Sequence, residues 1–377
     1  MSWLLSRLLR PEWKMNVRAI ELGFGTTSFV ASEKDGIPVI KTFPSIVSQV
    51  DKISADLSAG LNRRDTVRVQ LKNESVYEVG PDAGLVSDRT ASRIINNSYI
   101  DSDNYKALLF GCLNMMDCDS IDLLVLGVPV TSWHRVDELK KLVIGSHTLN
   151  SKTLTVHDAW VIVQPLAGLL SYAYSNDKET YQQMRDMNIL SVDIGYGTAD
   201  YLFSRGLQPN EARSGAIDAG MGSIISAVAG ALKTAFPRID RIPNEIIDAA
   251  FWKHPGVLKI SGKRYPFPLC QGKTADGEET PVHFNLQPQI DQITRNAVTQ
   301  IRNTAGSGAD IDMILLFGGP AQHYKDALQN AYPDHYIITP SDNEKKWQAD
   351  SLTVVCEGLY RGGVQYAQAR ARKRVAG

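Results

Sequence analysis

Two short segments of this chain place a carboxylate just ahead of closely spaced glycines and a threonine. The first reads Glu21-Leu22-Gly23-Phe24-Gly25-Thr26-Thr27, and the second Asp193-Ile194-Gly195-Tyr196-Gly197-Thr198. Glycine permits positive φ and close approach of backbone to ligand. Successive N–H groups of such a turn can converge on an anion. A carboxylate beside them can hold a hydrated divalent cation. Taken singly, each segment reads as an ordinary β-turn. Taken as a matched pair, they read as two halves of a phosphate clamp.

The flanking residues say which elements carry these turns. Apolar stretches precede each acid (Val17 to Ile20, Ile189 to Val192), and β-favouring residues follow each turn (Ser28-Phe29-Val30, Tyr201-Leu202-Phe203). That order is strand, turn, strand; a dinucleotide-binding loop would be strand, turn, helix. The copies lie nearly half the chain apart, which implies two halves on one α/β plan. Three strand-to-helix junctions are also legible. Leu123 to Leu126 ends at Gly127-Val128-Pro129-Val130. Trp160 to Val163 leads into Gln164-Pro165, where proline suits the first helical position and puts Gln164 at a helix mouth. Met313 to Phe317 stops at Gly318-Gly319-Pro320, with a helix expected over 321–331. Strand ends and helix starts gathered in this way form the ligand crevice of α/β folds. The stretch Ser214 to Gly222 ahead of an expected helix Ser223 to Leu232 reads equally as a backbone approach to ligand or as a plain loop. Residues 252–288 read as strands and loops of a variable subdomain.

Composition narrows the class. The chain has 377 residues, a formal net charge of −1, 43% apolar and 21% charged residues. These values fit a soluble globular protein of about two domains and exclude a low-complexity polymer. No global basic field points to direct nucleic-acid binding. The four cysteines form no CxxC pair and the seven histidines no metal-ligand spacing, which fits a reducing cytoplasm. No apolar run approaches the roughly 20 residues of a membrane span. Trp3, Leu4, Leu5, Leu8 and Leu9 can share one helical face. Residues 1–12 are read as an extension that packs on the body or stays loose, with a short membrane anchor as the alternative. The basic tail (Arg370, Arg372, Lys373, Arg374) reads as a solvated helix end.

This set of motifs, in this order, resembles the actin-like ATPase superfamily. Within it the chain looks most like the plasmid-segregation ParM/StbA group, including the PRTRC-system actin-like proteins. Phe43-Pro44-Ser45, Tyr77-Glu78-Val79-Gly80-Pro81-Asp82-Ala83 and Cys356-Glu357-Gly358-Leu359 support that subgroup. The resemblance implies an actin-like (ribonuclease H-like) duplicated fold with two domains around a nucleotide cleft. It places an N-terminal extension at 1–16, domain I at 17–164 plus 341–377, and domain II at 165–340. It implies ATP (or GTP) and Mg²⁺ as cofactors, and filaments whose turnover is controlled by hydrolysis. It further implies a DNA-bound adaptor that couples the filament to a plasmid, and a cytoplasmic setting.

Roles follow position by position. Gly23, Gly25, Thr26 and Thr27 would contact the β- and γ-phosphates from one domain, and Asp193, Gly195, Gly197 and Thr198 from the other. Asp193 and Glu21 would hold the metal through water. Gln164 would orient the attacking water. Gly318 and Gly319 would admit the adenosine, and Gly222 the ribose. Two departures stand out. The first motif usually begins with aspartate, and Glu21 sets the carboxylate about 1.5 Å further out, where positioning errors of ~1 Å can cost ~10²-fold. A lysine usually follows seven residues after that acid, and here Ser28 stands instead. Both departures favour the alternative of a weakly hydrolysing nucleotide-binding scaffold, to which a membrane-associated filament would add the N-terminal Leu/Trp face. A sugar kinase of the superfamily is a further alternative, but it would need an additional catalytic acid that the chain does not offer.

Overall fold

The computed structural model describes residues 15–50, 64–85, 98–149, 152–176, 178–342, 347 and 349–376. Residues 1–12, with their apolar face, lie outside these. No helix among the described residues is long and apolar enough to cross a membrane. Within those limits the chain divides into two compact units. One holds Met1–Val128, Ser132–Asp177 and Gln348–Gly377, and the other Pro129–Thr131 and Lys178–Trp347.

The first unit is built on a five-stranded sheet. Its order is Ala159–Val163, Leu123–Val128, Val17–Leu22, Thr26–Lys34, Ile37–Pro44. The first three strands are mutually parallel, and the last two turn back antiparallel. Leu123–Val128 is buried along its whole length, as a central parallel strand covered on both faces must be. Helices Gln164–Ser175 and Val354–Ala376 pack closely on one another.

The second unit repeats the plan. Asn188–Ile194 pairs antiparallel with Ala199–Arg205, and parallel with Met313–Phe317, which in turn pairs parallel with Ile337–Ile338. Helices Met221–Ala235 and Gln287–Ala305 contribute Ile224, Ile225, Val228, Ala297, Val298 and Ile301 to its core. Residues 252–288 form two hairpins, Val257–Ile260 with Lys263–Pro266 and Leu269–Lys273 with Glu279–Asn285.

One boundary differs from expectation. Helix Gln164–Ser175 belongs to the first unit, and the division falls near residue 177 rather than after 164. The cause is its packing on the C-terminal helix. A Cβ at Gly358 would collide with the Ala167 carbonyl, and one at Gly362 would sit 2.7 Å from Leu170 Cδ1. Ser171 also donates a hydrogen bond to the buried Glu357 carboxylate at 2.6 Å. The short segment Pro129–Thr131 groups with the second unit.

Candidate functional site

Both glycine segments fold as strand, turn, strand. In the first, Leu22 faces Thr27 and Glu21 faces Ser28; in the second, Ile194 faces Ala199 and Asp193 faces Asp200. This register gives the seven-residue spacing its meaning. The residue seven after each acid is its direct cross-strand neighbour, so a lysine there would lie against the acid. The turns close alike: Gly23 N–H donates to Thr26 O at 3.0 Å, and Gly195 N–H to Thr198 O at 2.8 Å.

The carbonyls of each turn are captured from behind. In the second hairpin Gly195, Tyr196 and Gly197 accept from the N–H groups of Met221, Gly222 and Gly220, at 3.1, 2.7 and 3.1 Å. The start of helix Met221–Ala235 thus spends its orphan donors on the hairpin. A Cβ at Gly220 would meet the Tyr196 carbonyl head-on, so glycine is required there. In the first hairpin hydroxyls take this part. Ser45 Oγ donates to Gly23 O at 2.6 Å and Tyr99 OH donates to the same oxygen at 3.3 Å. Ser45 N–H donates to Gly25 O at 2.9 Å. A trans peptide points its N–H opposite its C=O. Both turns therefore aim amide hydrogens forward, the arrangement that suits an anion.

The other expected residues distribute as follows. Gln164 opens its helix, is 7% exposed, and its Nε2 donates to Glu21 Oε1 at 3.1 Å. Gly127 leaves it room, since a Cβ there would lie 3.3 Å from Gln164 Cγ and 3.1 Å from Leu359 Cδ1. Two of the three expected catalytic side chains are thus joined in the first unit. Asp193 lies buried at the end of its strand in the second. Gly318 takes φ +94°, and a Cβ on it would collide with the Ile194 carbonyl and lie 2.7 Å from Asp193 Oδ1. Gly319 beside it is exposed. Thr26 is half-buried, but Thr27 is fully buried and its hydroxyl lies 2.9 Å from Ser45 Oγ. The structure therefore turns the Thr27 side chain inward rather than toward a phosphate. Gly222 sits inside the first helical turn, because the helix starts two residues before the expected Ser223.

The residue reading of the motif overlooked Asp200. It is 2% exposed, accepts Val130 N–H at 2.7 Å and the Thr198 hydroxyl at 2.5 Å. Burial pushes its carboxyl up to about 6, and Asp218 adds to this while Thr198 and Val130 oppose it. It lies two residues beyond the glycine segment, and its cross-strand pairing with Asp193 was the missing signal.

Glu21 has no cation opposite it. Loss of water pushes its carboxyl from 4.5 up to about 8, with hydrogen bonds from Ser28 and Gln164 opposing the rise. The unfolded chain releases this proton near 4.5 and the folded chain near 8. Between those values the folded state holds the extra proton, so stability falls as pH rises through that window. We expect nucleotide-free protein to lose melting temperature steadily from pH 5 to pH 8, and Glu21→Gln to flatten the profile. Thermal melts of both proteins across that range check this; equal slopes would contradict it.

Among the described residues no three His, Cys, Asp or Glu side chains gather to hold a metal ion. A magnesium ion carried on phosphates needs only one or two carboxylates, and Asp193 fits that need. Glu21 fits once deprotonated, a change that a nearby cation favours.

Residues 19–166 match the family described as actin like proteins N terminal domain. No curated protein matches the sequence. Solved structures show the fold. Ta0583, an archaeal actin homologue, superposes with TM-score 0.70 at 15% identity, covering 93% of this chain and 100% of its own. A ParM from a 15-stranded filament of Clostridium botulinum gives 0.68 at 17% identity, covering 93% and 99%. The actin-like protein Alp7A gives 0.63 at 14% identity, covering 96% and 99%.

Proposed function

We propose that this chain, whose residues 19–166 match the actin like proteins N terminal domain and whose fold is that of actin homologues, binds ATP or GTP with Mg²⁺ and assembles with itself into filaments whose turnover is coupled to hydrolysis. The observation that carries this reading is the pair of hairpins, each with its turn carbonyls captured behind and its amides aimed forward. The fold's relatives support it. Ta0583 forms a complex with ADP, at TM-score 0.66 and 14% identity, and the Clostridium botulinum ParM forms a filament. In this reading the amides of both turns, with Thr26 and Thr198, hold the β- and γ-phosphates. Asp193 and Glu21 hold the hydrated cation, which neutralises phosphate charge. Gly318, Gly319 and Gly222 border the nucleoside. A DNA-bound adaptor, plasmid segregation and a cytoplasmic setting complete the ParM-type reading.

Gln164 is the water-positioning residue of this account. Glu21 accepts its amide N–H and leaves its Oε1 oxygen to accept from a water. Phosphoryl transfer is catalysed mainly by such positioning and by charge stabilisation. Gln164→Ala should leave the Kd for Mg·ATP within about twofold and slow single-turnover phosphate release on the order of 10²-fold. Undiminished release by the variant would remove Gln164 from the mechanism.

One observation favours a slower second reading. Ser28, not a cation, faces Glu21, and the acid is held protonated near neutrality. A scaffold that binds nucleotide and hydrolyses it rarely would show tight binding with release slower than filament assembly.

A further inference from the structure

We propose that Ser45, from outside the glycine segment, is the positioning residue that sets the first hairpin to receive phosphate. The inference rests on the nucleotide reading above and adds to it a residue that neither segment contains.

The chemistry of the turn leads there. A turn of small residues can flip its peptide planes at little cost, because glycine is conformationally free. To receive an anion the planes must be held with their N–H groups on one side. The second hairpin achieves this with a helix start. The first has a serine. Ser45 follows strand Ile37–Pro44 and reaches two turn carbonyls at once. Its hydroxyl donates to Gly23 O at 2.6 Å, and its backbone N–H donates to Gly25 O at 2.9 Å. The first bond fixes the plane that carries Phe24 N–H; the second fixes the plane that carries Thr26 N–H. Neither Phe24 nor Gly25 N–H has a backbone acceptor among the described residues.

The serine is itself held. Its hydroxyl proton is spent on Gly23, so Thr27 Oγ1, 2.9 Å away, is the donor to Ser45 Oγ. Ser45 is 8% exposed and Thr27 fully buried, so water does not compete for these bonds. Tyr99 adds a weaker donor to Gly23 O at 3.3 Å, with its ring fixed against Phe24 at 4.9 Å and Tyr105 at 5.3 Å. Phe43-Pro44-Ser45 thereby acquires a physical role, and the buried Thr27 acts through Ser45 rather than on a phosphate.

The test uses the full chain and Mg·ATP. Titration calorimetry gives Kd, steady-state phosphate release gives KM and kcat, and a thermal melt reports folding. Ser45→Ala should weaken Mg·ATP binding and raise KM about tenfold, the scale of one buried hydrogen bond. Its kcat at saturation should stay within about twofold, because Gln164 and Glu21 are untouched. Tyr99→Phe keeps the ring and loses one donor, so it should weaken binding about threefold. Folded Ser45→Ala that binds as tightly as wild type would overturn the proposal. If Ser45→Ala does not fold, Tyr99→Phe decides: weaker binding supports the proposal and unchanged binding overturns it. Wild type that binds neither ATP nor GTP would sink the nucleotide reading and this inference with it. Wild type that binds while both variants match it would sink this inference alone.

Discussion

Asp193→Ala is expected to abolish nucleotide-driven assembly and to slow phosphate release at least 10³-fold, the scale on which a charge-stabilising group acts in such chemistry. Asp193 ends a fully paired strand, faces Asp200 across the hairpin, and is 7% exposed. Gly318 leaves its carboxylate unobstructed on one side, where any Cβ would lie 2.7 Å from Oδ1. Burial pushes Asp200 up to about 6, and its oxygens are committed to Val130 and Thr198. Asp200 therefore cannot easily take over as the cation's partner. Phosphates bound without a cation would keep their full charge beside the buried Asp200. Phosphate release measured with and without Mg²⁺ checks this. Wild type should depend steeply on the metal and the variant hardly at all. A variant that hydrolyses at more than a tenth of the wild-type rate would contradict the assignment.

Gly358→Ala is expected to cost about 3 kcal/mol or more, beyond the usual range for overpacking. The Gly358 Cβ would fall on the Ala167 carbonyl and lie 3.0 Å from Ser171 N, both backbone atoms of helix Gln164–Ser175. Backbone cannot rotate aside as a side chain can, so the two helices must separate. Separation would also strain the Ser171–Glu357 bond and the bond that Arg361 donates to Tyr174 O at 3.4 Å, both of which run between the helices. Helix Gln164–Ser175 carries Gln164 at its start, so the same change should disturb the Gln164–Glu21 contact. Chemical denaturation compared with wild type measures the loss. A variant within 1 kcal/mol would mean the helices pack with more slack than the structure shows.

Much of this arrangement was legible in the residues, for identifiable reasons. Strand, turn, strand could be read around Glu21 and Asp193 because β-formers flank glycines too closely spaced for a helix start. Gln164 could be placed at a helix mouth because Pro165 tolerates only the first turn. The matched pattern in both halves pointed to a duplicated plan, and both sheets carry it as three parallel strands followed by an antiparallel hairpin partner. Other features depend on register and on distant contacts, which spacing does not reveal. Asp200 and Ser28 gain meaning only as the cross-strand partners of the two acids. Ser45 acts on a turn about twenty residues earlier in the chain. Gly358 looks like a helix-weakening glycine until the carbonyl of Ala167 is set against it. The domain boundary was misplaced for the same reason: the helix after Gln164 is held by residues nearly two hundred positions away. Thr27 matched a phosphate-contact position by type, yet its side chain points into the core, as alternate residues on a strand must.

The most direct measurement is 90° light scattering with simultaneous phosphate release, comparing ATP, GTP, ADP and a non-hydrolysable triphosphate on the full chain with Mg²⁺. The account predicts that scattering rises with a triphosphate, falls as phosphate appears, and persists with the non-hydrolysable analogue. Scattering that stays flat with every nucleotide, while phosphate release stays at background, would contradict a nucleotide-driven filament.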